Sequence, residues 1–127
     1  MKMALDGAVG ANVIKSCEPG RVKIRDRYLS TSLIVLRDHL ISDWQPRDID
    51  ELRAAHLEPI LEMRPEVVII GTGETQIFPD PATFTTLMDF GIGFEVMDNA
   101  AACRTYNILL AEDRRAALAL ILAGDGN

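Results

Sequence analysis

Two groups of residues in this chain have types and spacings that could do chemistry. The first is Gly71-Thr72-Gly73, which follows directly on Val67-Val68-Ile69-Ile70. Four consecutive large aliphatic residues predict a strand buried on both faces. Glycines at its end let the backbone turn sharply or let another group come close. In an open α/β sheet, the carboxyl end of a buried strand is where ligands sit. A dinucleotide fingerprint fails in detail: a third glycine would fall at Gln76, and the loop reaches Pro79 before any helix begins. A phosphate-binding P-loop fails too, since no Gly-Lys-Ser/Thr follows. Two readings of the glycines remain. One is a structural turn that lets the next helix pack closely. The other is the rim of a pocket for a small ligand or anion, with Thr72 and Glu74 near an opening and the helix starting at Pro81 offering unpaired amides.

The second group is Cys103, Tyr106 and Asn107, within one turn of each other on a predicted helix. A helix N-terminus lowers the pKa of a nearby thiol. A catalytic cysteine also needs a base, and sequence places neither His39 nor His56 beside it. Cys103 therefore reads as a small buried hydrophobe, Tyr106 as a core residue with its hydroxyl tied to a neighbour, and Asn107 as a partner for backbone groups of a loop. The alternative is a helix roofing a site at the glycine edge. Glu112-Asp113-Arg114-Arg115 reads as a solvated connection, with Arg115 pairing to Asp98 or Glu74 as the functional alternative. The carboxylates are scattered, so no acid/base pair stands out. The histidines lack a metal-binding spacing. Cys17 and Cys103 lie far apart with no C-x-x-C, which indicates neither a metal site nor a disulfide framework. No catalytic residue, metal or cofactor is expected. The ligand or partner candidates are Gly71, Thr72, Gly73, Glu74, Asp98, Cys103, Tyr106, Asn107 and Arg115.

These residues must be positioned by a mixed set of elements. Val13-Ile14-Lys15 starts a first strand, and Glu18-Pro19-Gly20 is a turn. Arg21 to Leu29 alternates polar and apolar residues and predicts one half-buried antiparallel strand, with Arg21, Lys23, Arg25 and Arg27 on one face and Tyr28 on the other. That face reads as solvated, with docking of an acidic partner as the alternative. Leu33 to Leu36 predicts a buried strand and His39 to Trp44 another. Leu57, Ile60 and Leu61 have helical spacing, and a helix starting near Ala55 or His56 tolerates Pro59 in its first turn. Asp80-Pro81 predicts a helix start, with Phe84, Leu87 and Met88 as the apolar face and Gly91 and Gly93 as its end. Phe94 to Met97 predicts a strand. Asp98 or Asn99 caps a helix running to about Ala111. Ala116 to Leu122 fits either a helix or a buried strand. The order is an antiparallel start followed by βαβ units, hence an α/β fold with a mixed sheet and helices packed on it.

Composition bounds the function. The chain has 127 residues, 48% hydrophobic and 25% charged, which predicts one α/β domain over 10–123 between loose tails at 1–9 and 124–127. A net charge of -6 argues against nucleic-acid binding through bulk electrostatics. No apolar run approaches the ~20 residues that cross a bilayer, and the N-terminal stretch matches neither a signal nor a transit peptide. Unpaired cysteines fit a reducing compartment. The expectation is a cytoplasmic protein not embedded in membrane.

The ordered set Pro65-Glu66-Val67 through Gly71-Thr72-Gly73, Gly91, Glu95-Val96-Met97-Asp98, Ala101-Ala102-Cys103-Arg104-Thr105-Tyr106-Asn107 and Glu112-Asp113-Arg114-Arg115, together with Trp44, resembles a bacterial and archaeal domain-of-unknown-function family. That family also includes a human mitochondrial complex I assembly factor and an adipogenesis-associated protein. The resemblance spans roughly residues 10 to 123. It implies a central mixed sheet flanked by helices, a small extra antiparallel layer, and a strand at 116–122. It also implies a non-enzymatic binding or assembly role with protein partners of a membrane or respiratory complex. A small-molecule or anion site, or an enzyme, at the Gly71-Thr72-Gly73 edge is the alternative.

Overall fold

The computed structural model describes residues 10–123; the tails expected at 1–9 and 124–127 lie outside these. The described residues hold eight strands in two sheets. β1 (Ile14–Glu18), β2 (Arg21–Ile24) and β3 (Arg27–Leu29) make a small antiparallel sheet in that order. β4 (Leu33–Leu36), β5 (His39–Ile41), β6 (Val67–Gly71), β7 (Gly93–Met97) and β8 (Ala116–Leu120) make a five-stranded sheet in the order β5-β4-β8-β6-β7. The β5-β4-β8 part is antiparallel, and β8-β6-β7 is parallel. The α/β fold with a mixed sheet and a small extra antiparallel layer is thus present.

Alternation along the strands sorts the core into two layers. Val68, Ile70, Ala117, Ala119 and Ile34 point to one face. There they meet Leu57 and Ile60 around helix α1 (Glu58–Met63), and Phe84 and Leu87 around helix α2 (Thr85–Asp89). Ile69, Leu118, Leu120, Leu33 and Val35 point to the other face. There they meet Ala102, Cys103, Tyr106 and Leu110 of helix α3 (Asn99–Ala111) and Ile14, Val22 and Ile24 of the small sheet. β8 is buried at every position. Between two neighbours its Ala/Leu run has no free face, which is why a segment of good helix propensity is a strand.

Local signals set the helix ends. The Asp80 carboxylate accepts from Ala82 N at 2.9 Å, opening the 3-10 turn Pro81–Phe84 that leads into α2. Asp98 accepts from Ala101 N at 2.9 Å and caps α3. Arg64 ends α1 in the left-handed conformation, φ 51°, ahead of Pro65. The α1 region differs from its expectation in starting with a 3-10 turn, Ala54–Leu57, which places Pro59 in the first turn of the α-helix proper.

Three expectations are corrected. Arg21 to Leu29 is a hairpin, because Arg25 takes φ 57° and the chain turns back at Asp26. The four cations therefore do not share one strand face. Arg21 and Lys23 lie over the Tyr28 ring, at 4.0 and 5.5 Å from its centroid, so Tyr28 joins them rather than facing away. Arg25 instead reaches Asn12 Oδ1 at 2.8 Å. The strand expected to extend from His39 to Trp44 stops at Ile41; Trp44 is buried, its indole donating to His56 O at 2.9 Å. Met88 is not on the apolar face of α2 but 61% exposed.

Candidate functional site

The carboxyl edge of β6 is closed by backbone and side chains. Gly71 O accepts from Ile121 N at 3.0 Å, and Thr72 N donates to Met97 O at 2.9 Å. A Cβ on Gly71 would lie 2.5 Å from Asn99 Oδ1 and 2.6 Å from Leu120 Cδ1. The glycine is there because helix α3 and strand β8 approach too closely for any side chain. Asn99 stitches the edge: Oδ1 accepts from Gly73 N at 2.9 Å, and Nδ2 donates to Ile121 O at 3.0 Å. Gly73 turns the chain at φ +111°.

Thr72, expected near an opening, is buried. Its hydroxyl donates to Thr75 O at 2.6 Å and accepts from Ile77 N at 3.1 Å, folding the loop on itself. Glu74 is exposed beyond it. The Pro81 turn offers an anion little: the Asp80 carboxylate already holds Ala82 N and brings its own negative charge.

The candidates on α3 serve the opposite end of the layer. Tyr106 is fully buried and donates its hydroxyl to Asn12 O at 2.9 Å. Burial pushes its phenol above the ordinary value. Asn107 grips the backbone of Ile14 in β1. Cys103 is 3% exposed, and Cys17 packs against the cluster it belongs to. The neighbouring Cys103 holds the Cys17 thiol below its ordinary value, while Cys17 and burial push Cys103 up. α3 is therefore a clamp between the two sheets.

Arg115 lies at the wrong end of the sheet for a role with Gly71. β6 and β8 are parallel, with Val67 beside Ala116 and Gly71 beside Leu120. Arg115 N donates to Glu66 Oε1 at 3.1 Å, and Arg114 Nε to Glu66 Oε2 at 2.8 Å. These bonds hold the Glu66 carboxyl below the usual range. Asp98 is used as the α3 cap. So the structure does not gather the nine candidates into one site: Gly71, Thr72, Gly73 and Asp98 form a packed edge with Glu74 exposed beyond it, Cys103, Tyr106 and Asn107 a clamp, and Arg115 a remote turn.

Residues outside that set line the open surface. A groove of about 530 Å³ runs between the segment from Ile49 to Ala54 and the loop from Ile77 to Thr83. Asp50 and Arg53 bring charge to it, and Leu52, Ile77, Phe78 and Pro79 bring apolar surface. Phe78 is 72% exposed. Among the described residues, four of the six exposed large apolar side chains, Ile77, Phe78, Met88 and Phe90, fall between β6 and β7. The sequence signal for this surface was an Ile-Phe-Pro run in a segment that forms no strand. Asn12, Ser32, Asn99 and Tyr106 make the fully buried side-chain bonds described. Among the described residues, no group of three or more His, Cys, Asp or Glu could hold a metal. No described helix is long and apolar enough to cross a membrane.

This architecture defines a class: a mixed five-stranded α/β sheet clamped by one long helix to a three-stranded sheet. A protein of Xanthomonas campestris solved by NMR shares it, with a TM-score of 0.82 and 36% identity, covering 91% of this chain and 87% of that one. The family described as protein of unknown function (DUF498/DUF598) matches residues 14–121, and the chain belongs to that family. The chain is 35% identical over 74 residues to the 13 kDa major membrane protein of Francisella tularensis subsp. holarctica (strain LVS), covering 58% of this chain and 60% of that one. It is 37% identical over 75 residues to NADH dehydrogenase [ubiquinone] 1 alpha subcomplex assembly factor 3 of Xenopus tropicalis, covering 59% of this chain and 40% of that one. The chain thus spans less than two thirds of the length of either relative. The family recognised from the motifs is the family found, and it includes complex I assembly factors.

Proposed function

We propose that this chain is a non-enzymatic binding module that holds a protein subunit of a membrane-bound respiratory complex during assembly. The observation that carries the reading is the pair of exposed apolar side chains, Ile77 and Phe78, lining the groove, with Met88 and Phe90 also exposed in the same stretch between β6 and β7. Exposed aromatic and aliphatic residues grouped on one segment fit a protein interface better than a solvated surface. The name of the Xenopus relative supports the kind of partner. The sealed Gly71 edge weighs against a small-molecule or anion site there. The acidic balance supports a protein rather than a nucleic-acid partner. Two unpaired cysteines support a reducing, cytoplasmic setting, from which the module would meet its partner at the membrane face.

The test is capture by tagged protein from solubilised membranes and cytosol, comparing wild type with a folded Ile77→Ser, Phe78→Ser variant. Wild type is expected to recover subunits of a respiratory complex, and the variant to lose them. Recovery of background proteins alone, or of the same subunits with both proteins, would overturn the reading.

A further inference from the structure

Cys17 on β1 and Cys103 on α3 come from distant parts of the chain, yet Cys17 packs against the core cluster that holds Cys103. Both line a shallow cavity of about 260 Å³, with Ser16, Arg104 and Asn107. Cys103 forms the buried floor and Cys17 is partly exposed. A cavity with a partly exposed thiol backed by a buried one has the layout of a modification site with its own resolving group. The elements that carry the two cysteines are already fixed to each other by Asn107 and Ile14.

We propose that Cys17 is a redox modification site and Cys103 its resolving thiol, closing to an intramolecular disulfide between the small sheet and α3. The co-reactant is a low-molecular-weight disulfide of the glutathione type. The Cys17 thiolate attacks one of its sulfurs, forming a mixed disulfide and expelling one thiolate. Cys103 gives up its proton to solvent, and its sulfur attacks Cys17 Sγ. The mixed disulfide breaks and the second thiolate leaves. Two protein thiols are oxidised, and one small disulfide is reduced to two thiols. Closure needs the two sulfurs to approach to about 2 Å. The direction in which each thiol is shifted agrees with Cys17 as the attacking group.

The experiment incubates the reduced full chain with excess oxidised glutathione under native conditions, then blocks free thiols and measures intact mass and the peptide map. Wild type is expected to lose two hydrogens, keep no glutathione adduct, resist blocking and yield a peptide pair linked through Cys17 and Cys103. Cys103→Ser is expected to keep a stable glutathione adduct on Cys17, and Cys17→Ser to remain unmodified. A lasting Cys17 adduct on wild type would overturn the proposal, as would two thiols that stay free and unlinked in the folded protein. Both outcomes are read on the wild-type chain and do not depend on a variant folding.

Discussion

Asn107 holds both backbone polar groups of Ile14: its Oδ1 accepts from Ile14 N at 3.0 Å, and its Nδ2 donates to Ile14 O at 2.9 Å. One side-chain amide thus serves β1 as a neighbouring strand would, and joins the small sheet to α3. Removing it leaves a buried donor and acceptor to find water. Asn107→Leu is expected to lower stability by about 1–3 kcal/mol, read as a fall in the urea midpoint. Asn107→Asp can make both bonds only while its carboxyl is protonated, so it is expected to cost less below about pH 4 than at neutral pH, where a carboxylate oxygen faces Ile14 O. Equal midpoints for wild type and Asn107→Leu would show that the clamp contributes nothing.

The two glycines after β6 fail for different reasons when substituted. Gly71→Ala drives a methyl into Asn99 and Leu120, and overpacking of that kind costs roughly 1–3 kcal/mol. Gly73→Ala meets nothing within 4 Å but is strained at φ +111°, at a cost of about 1–3 kcal/mol. Trimming Asn99 discriminates them. Added to Gly71→Ala, Asn99→Ala is expected to cost less than the sum of the single changes. Added to Gly73→Ala it relieves no clash. Thermal unfolding of the six proteins, wild type included, checks this.

Glu66 gives stability a defined acid dependence. Its carboxyl is held below its ordinary value, chiefly by Arg115 N and then by Arg114. A folded value below the unfolded one means the contribution is fully present above the unfolded value near 4.5 and is lost as pH falls through the folded value. Wild type is therefore expected to exceed Glu66→Gln in stability at pH 6 to 7, and the gap to close as pH drops below about 4. Urea midpoints of the two proteins across that range test it; a gap constant with pH would remove the carboxylate as its source.

Much of the fold was legible because its signals are local. The β6 run, the Asp80-Pro81 start and the Asp98 cap act within a few residues, and each lies where expected. The hairpin at Arg25 was not legible, since a non-glycine residue makes its turn and strict alternation runs straight through it. β8 was ambiguous because only flanking strands distinguish a buried Ala/Leu strand from a helix. The site was less legible still. Gly71 signalled a close approach, but what approaches is Asn99, a contact made by tertiary packing. The meeting of Cys17 with Cys103 and the distance of Arg115 from Gly71 both follow from sheet order, which no spacing reveals.

The position of β8 between β4 and β6 has a consequence for how the protein is made. Its five residues follow all seven other strands in sequence, yet they form the central seam of the large sheet. A chain emerging from the ribosome can pair β4 with β5, and β6 with β7, but each pair keeps an open inner edge until Ala116–Leu120 arrives. Those edges are nonpolar and ready to accept a wrong strand. The nascent protein is therefore exposed to mispairing until β8 emerges, and that one insertion joins the two halves at once.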